Sequence, residues 1–201
     1  MYRTAVIGVF AALSFLIAGD LARRFRLHRV RRPVREADRT DWFPGLLRLC
    51  VNLAGAVCLA AVTVTGFAAV LANTPALGGY LLMAHVTTAG GFAGAALAVA
   101  VIWIWRNRFT HAECERLTGG KGSSAPPVSG TILLRKTFFW IALASTIPTL
   151  ATALLAMFPL VSPAQQQVLL QIHRISALSM VACSVLFAYC ALAAEWEHRG
   201  N

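Results

Sequence analysis

Residues 167–195 read QVLLQIHRISALSMVACSVLFAYCALAAE, an apolar run broken inside by one histidine, His173, and one charge, Arg174. As a helix rising about 1.5 Å per residue, it outreaches a hydrocarbon core roughly 30 Å thick. Lipid offers backbone groups no hydrogen-bond partner, so such a run crosses a bilayer only as a helix. Four further runs have the same character, at residues 2–20, 44–71, 79–105 and 137–158. None alternates apolar and polar residues as a barrel strand would. With 58% hydrophobic and 13% charged residues, the chain is also too apolar for a soluble domain of 201 residues. The sequence predicts an all-α integral membrane protein with five transmembrane helices.

Charge placement orients those helices. Arg23, Arg24, Arg26, Arg29, Arg31, Arg32, Arg35 and Arg39 crowd the first connection, and Arg106, Arg108, Arg116, Lys121, Arg135 and Lys136 fill or flank the third. The other two connections, LANTP and PLVSPAQQQ, carry no Lys or Arg. The positive-inside rule then sets the N-terminus outside and the C-terminus in the cytoplasm. Trp42, Trp105, Trp140 and Trp196 fall at the expected cytoplasmic ends, where indoles anchor helices at the interface. The net charge of +10 is thus a topology signal rather than a sign of nucleic-acid binding, and the Arg-rich first loop also suits anionic headgroups or a partner. Arg3 followed by an apolar run resembles a signal peptide, but the following LARRFRLHRVRR is far more basic and lacks a small-x-small cleavage site. The expected organisation is an N-terminal transmembrane helix (1–22), a basic loop (23–43), a membrane domain (44–196) with a flexible cytoplasmic loop at 106–135, and a tail (197–201).

The chemistry lies in a repeat. Residues 81–89 are LLMAHVTTA and residues 169–177 are LLQIHRISA, each with a histidine three residues after the second leucine and a hydroxyl before the last alanine. Both histidines lie in spans running from outside to inside, each about six residues in, or roughly 9 Å below the outer boundary. Two imidazoles at one depth on parallel helices are placed to grip one ligand, and haem iron, held through axial side chains, is the natural candidate. Bonds near 2 Å to each ring would part the two Cα atoms by roughly 12–13 Å, more than ordinary helix packing. Small residues would let a flat macrocycle approach: Ala89, Gly90 and Gly91 after one histidine, Ala177 after the other, and Gly66 on the second span. Arg174 would find an anionic partner in a haem propionate. Each feature alone has a plainer account. A single intramembrane histidine is often an interhelical hydrogen-bonding residue, Gly and Ala are common helix contacts, and an arginine can snorkel outward. His28, His111 and His198 fall in loops or the tail. Five cysteines without CxxC or CxxCH spacing indicate neither covalent haem nor a cysteine-ligated cluster, and GGKGS lacks the spacing of a phosphate-binding loop.

At these residues the chain resembles the four-helix b-type cytochrome subunits of formate dehydrogenases and nickel–iron hydrogenases, with the related bacterial cytochrome b561 proteins. The resemblance covers roughly residues 45–196. It rests on Thr65 and Gly66 ending span two, LLxxH opening span three, RKTFFW (135–140) opening span four, and LLQIHRISALSMVACSVLFAYCALAAEW in span five. It implies a four-helix haem-binding bundle in spans two to five, with one extra N-terminal helix, in a bacterial cytoplasmic membrane. The family commonly carries two haems. Here Phe187, Ala188 and Tyr189 stand where span five would supply the second ligand, and Cys50, Val51 and Asn52 where span two would. The expectation is one non-covalent haem b on His85 and His173 near the periplasmic face.

The functional expectation is a membrane electron-transfer subunit, not catalytic alone. It would pass electrons between a periplasmic cytochrome or iron–sulfur subunit and quinone within a larger redox complex. A haem-free anchor or assembly subunit is the alternative. Transport ranks third, because the spans show no interrupted helices and no acidic residue at mid-membrane.

Overall fold

The computed structural model describes residues 2–27, 45–72, 77–117, 130–158 and 161–199. Those residues form helices α1 (Tyr2–Leu27), α2 (Gly45–Leu71), α3 (Gly79–Trp103), α4 (His111–Leu117), α5 (Gly130–Met157) and α6 (Pro163–Arg199), and no strand occurs among them. All but α4 are long and apolar enough to cross a membrane, with mean hydropathies of 1.7 to 2.1. Large apolar side chains stand outward on every one of them, among them Phe15, Val57, Val64, Leu97, Ile147 and Leu192. Water would penalise that surface, whereas lipid is as apolar as the side chains themselves.

The helices outrun the apolar runs. Helix α5 starts at Gly130 rather than residue 137, and α6 extends from Pro163 to Arg199. Hydropathy marks the part that lipid can bury, whereas helix ends follow breakers and caps. At α6, Ser162 and Gln165 form a capping box, with the Ser162 N–H donating to Gln165 Oε1 at 2.8 Å and Pro163 in the first helical position. A second box opens α4 inside the region expected to be a flexible loop: the Thr110 N–H donates to Glu113 Oε2 at 2.7 Å. The basic residues 29–39, Trp42 and the Gly/Ser/Pro stretch 119–129 lie outside the described residues.

Two compact units divide the chain, one centred on α2 and α3, the other on α5 and α6 with α4 and most of α1. In the first, α2 and α3 run antiparallel, as their contacts show. A Cβ on Gly66 would meet His85, one on Gly91 meets Cys58 Sγ at 3.5 Å, and one on Gly55 would meet Val99. At the far end Trp103 Nε1 donates to Asn52 Oδ1 at 2.9 Å, and the Arg106 guanidinium lies 5.4 Å from the same indole ring.

In the second unit α5 and α6 are likewise antiparallel, zipped by hydroxyls. Thr149 Oγ1 lies 2.9 Å from Ser176 Oγ, Ser145 and Ser179 hydroxyls meet at 3.0 Å, and the Phe139 and Phe187 rings meet at a tilt with centroids 5.6 Å apart. Interhelical hydrogen bonds of this kind contribute about 0.6 to 2 kcal/mol each in membranes. Lys136 Nζ donates to both carboxylate oxygens of Glu113 at 2.7 Å, with both side chains almost wholly buried, and Trp140 Nε1 donates to the Asn107 carbonyl. Burial pushes the Glu113 carboxyl up, but the bonds from Lys136 and Thr110 outweigh it and hold the group below its ordinary value. Tyr189 Oη donates to Asp20 Oδ2 at 2.5 Å, which ties α6 to α1.

Candidate functional site

The two repeats fold alike. In each unit the histidine sits on the second helix of an antiparallel pair and faces hydroxyl-bearing residues of the first. On α3, Thr88 Oγ1 donates back to Ala84 O and His85 O; on α6, Ser176 Oγ donates to Ile172 O and His173 O. The matched hydroxyls of LLMAHVTTA and LLQIHRISA therefore occupy matched positions, capping the carbonyls that flank each histidine.

The first histidine is fixed from α2. His85 Nδ1 lies 2.9 Å from Thr65 Oγ1. A hydroxyl has one hydrogen to give, and Thr65 gives it to the Ala61 carbonyl at 2.7 Å. The Thr65 hydroxyl thus meets both the Ala61 carbonyl of its own helix and the His85 ring of the next. The ring also lies against Gly66, where an added Cβ would come within 3.0 Å of His85 Cε1. Gly66, expected to admit a macrocycle, admits the imidazole itself.

The second histidine repeats that logic with other atoms. His173 Nδ1 is 3.0 Å from the Thr149 carbonyl oxygen, which can only accept. Thr152 Oγ1 stands at 3.3 Å from the same nitrogen and donates its own hydrogen to Pro148 O at 2.6 Å. The carbonyl contact makes the His173 ring an Nδ1–H donor, which in the neutral imidazole places the lone pair on Nε2, the state in which histidine binds a metal.

Other expected site residues fall as follows. Ala89 and Ala177 each stand four residues after a histidine, hence on its side of the helix, and both are half-buried. A Cβ on Gly90 would meet open space. Arg174 follows His173 and is half-buried. Helix α6 begins ten residues before His173, and α3 six before His85, so equal distance from the helix start does not hold. The difference is the polar first turn PAQQQ; counted from the first apolar residue, Val168 or Tyr80, both histidines come five residues on. His111 is exposed on α4, 3.3 Å from Glu115 Oε1, while His28 and the side chain of His198 lie outside the described residues.

The positions without histidines have other partners. Asn52 is bonded by Trp103, Phe187 packs at a tilt against Phe139, and Tyr189 binds Asp20. Among the described residues no three His, Cys, Asp or Glu side chains converge as a metal cluster. No family model, curated protein or solved structure matches this chain, so the chemistry of the site rests on its own residues.

Sequence reading singled out Thr65 only as part of a TG pair and passed over Thr149 and Thr152. Their signal was present: hydroxyl residues stand 20 to 24 positions before each histidine, one hairpin length away, in otherwise apolar helices.

Proposed function

We propose that this protein is a membrane electron-transfer subunit, a b-type cytochrome holding one haem between His85 and His173. The observation that carries the reading is the repeated placement: in each hairpin the histidine Nδ1 meets an oxygen of the preceding helix, Thr65 Oγ1 for His85 and the Thr149 carbonyl for His173. Among the described residues no three His, Cys, Asp or Glu side chains converge, which suits a metal that brings its own equatorial donors, as porphyrin iron does, better than a zinc or di-iron site. Ala89 and Ala177 offer little bulk on the histidine sides, and Arg174 supplies a cation for a propionate. When bound, the haem supplies a one-electron couple within the membrane.

The resemblance to four-helix cytochrome b subunits supports the same reading, and the occupied contacts of Asn52, Phe187 and Tyr189 support a single haem. In this reading the basic connections face the cytoplasm of a bacterial inner membrane, and the haem lies toward the periplasmic side. Electrons pass between a periplasmic-side cytochrome or iron–sulfur subunit and quinone within the bilayer. The partner subunits hold the substrate chemistry.

The test is haem extraction and quantification on the purified full chain, with a reduced-minus-oxidised spectrum. About one equivalent of non-covalent haem b per chain is expected. Two equivalents would overturn the single-haem reading. None, in a folded protein, would favour a haem-free anchor or assembly subunit.

A further inference from the structure

The contacts of the α2–α3 hairpin keep one register. Gly66 lies against His85, Cys58 against Gly91, Gly55 against Val99, and Asn52 accepts the indole hydrogen of Trp103. One turn before Asn52, and on its side of α2, stands Arg48. The same register carries Arg48 to the level of Arg106, three residues past Trp103. Arg106 lies over the Trp103 ring, 5.4 Å from its centroid, within reach of a cation–π contact. An indole, an asparagine and two guanidiniums thus share one end of the hairpin, and both arginines are half-buried.

Two level cations, partly withdrawn from water, repel one another more than fully solvated charges do. The sequence holds no Asp or Glu from residue 42 to residue 112, so an anion from outside this stretch would relieve that repulsion. Both guanidiniums also interact within the chain, but each carries several N–H donors and can hold a neighbour and a phosphate oxygen together. We propose that Arg48 and Arg106, with Trp103 as their platform, bind the phosphate of one anionic phospholipid. The hairpin end also offers what a free phosphate would not use. Leu46, Leu49, Val101 and Trp105 stand outward beside the two arginines, an apolar surface on which acyl chains lie. A zwitterionic headgroup would bring a further cation to a site that already holds two, which selects an anionic lipid such as phosphatidylglycerol. In the topology proposed above, this lipid belongs to the inner leaflet. Haem plays no part in the binding, so a chain without haem would keep the lipid site.

The experiment uses the purified full chain in wild-type form, as Arg48→Gln, as Arg106→Gln and with both changes combined. Arg3→Gln is the control, because it removes the same charge from the exposed first turn of α1. Native mass spectrometry from detergent reads which lipid is retained when phosphatidylglycerol and phosphatidylcholine are supplied in equal amounts. Wild type and Arg3→Gln should retain phosphatidylglycerol in preference. Each glutamine at the hairpin end should weaken that binding about fivefold, and the pair about twenty-five-fold. Equal retention of the two lipids by wild type would overturn the proposal. So would a double variant that keeps the wild-type preference, which would assign the lipid to the basic first connection instead. Thermal melts should rise with phosphatidylglycerol and not with inorganic phosphate; an equal rise with phosphate would make this a free-anion site and overturn the lipid assignment. If the double variant does not fold, the single variants and the wild-type choice between the two lipids still decide.

Discussion

Gly66→Ala tests the site with one methyl group. The added Cβ would stand 3.0 Å from His85 Cε1, 3.5 Å from Nδ1 and 3.9 Å from Nε2. Carbon atoms rest at about 3.5–4.0 Å, so the closest approach is short by roughly half an ångström. The ring cannot yield without lengthening its 2.9 Å bond to Thr65, and α2 cannot withdraw without opening its contacts with α3. Overpacking of this kind costs about 1–3 kcal/mol, partly offset by the roughly 1 kcal/mol by which alanine favours a helix over glycine. Two neighbours calibrate the result: a Cβ at Gly91 makes an ordinary 3.5 Å contact with Cys58, and one at Gly90 meets nothing within 4 Å. Unfolding in detergent should rank Gly66→Ala below Gly91→Ala, and Gly91→Ala at or below Gly90→Ala. The haem spectrum of Gly66→Ala should weaken while the other two keep theirs. If Gly66→Ala proves as benign as Gly90→Ala in both assays, the ring does not lie where these distances put it.

On the proposed haem reading, His85→Ala or His173→Ala should abolish the low-spin haem spectrum, because each would remove a proposed ligand, while His111→Ala, at an exposed residue of α4, should leave it unchanged. Arg174→Gln should lower the midpoint potential with haem retained, since a nearby cation favours the electron-richer iron; a partly solvated charge contributes about 1–2 kcal/mol, or some tens of millivolts for one electron. An unchanged or raised potential in a redox titration would instead make Arg174 a snorkelling residue. Lys136→Met strands the Glu113 carboxylate, almost wholly buried, and should destabilise the protein by about 3–5 kcal/mol, whereas Lys136→Met combined with Glu113→Gln should recover most of that loss in a denaturant melt. The Glu113 carboxyl is held below its ordinary value, so the stability it contributes is present above the unfolded-state value and lost as pH falls through the folded one. Melts across that acid range should show a loss in wild type that is blunted in Glu113→Gln.

The five membrane helices were legible because hydropathy alone defines them, and Leu71 and Gly79 bound α2 and α3 as expected. Their ends were less so. Seven residues of α5 and eight of α6 lie beyond the apolar runs, because hydropathy reports only what lipid covers whereas a cap such as the Ser162–Gln165 box sets where a helix starts. Helix α4 was hidden in a stretch read as loop, although Thr110 and Glu113 carry the spacing of a capping box. At the site, His85 and His173 stood out because a histidine is conspicuous among leucines and valines. Thr65, Thr149 and Thr152 did not, because threonine in a membrane helix most often bonds its own i−4 carbonyl, as all three do here. What sequence cannot distinguish is a threonine oxygen or carbonyl that also accepts from the neighbouring helix, which depends on hairpin register.

That register explains how an apolar hairpin keeps a histidine at all. An imidazole in lipid has two nitrogens to satisfy, and a buried polar group without a partner costs several kcal/mol. In each hairpin the preceding helix satisfies one nitrogen with atoms it already carries: a threonine oxygen beside Gly66, or the Thr149 carbonyl next to Pro148. Proline lacks an N–H and so withholds a hydrogen bond from the Ala144 carbonyl one turn back, while Thr152 donates to the Pro148 carbonyl one turn on. This side of α5 is therefore already committed to hydrogen bonding outside the ordinary helix pattern where His173 meets it. The same device appears twice, built from different atoms around the same nitrogen. Packing alone requires a histidine at neither place, since leucine or valine would fill either seat without any polar atom to satisfy. The repeated setting of a histidine against oxygens of the preceding helix, in two otherwise apolar hairpins, is the physical ground for proposing the pair as ligands.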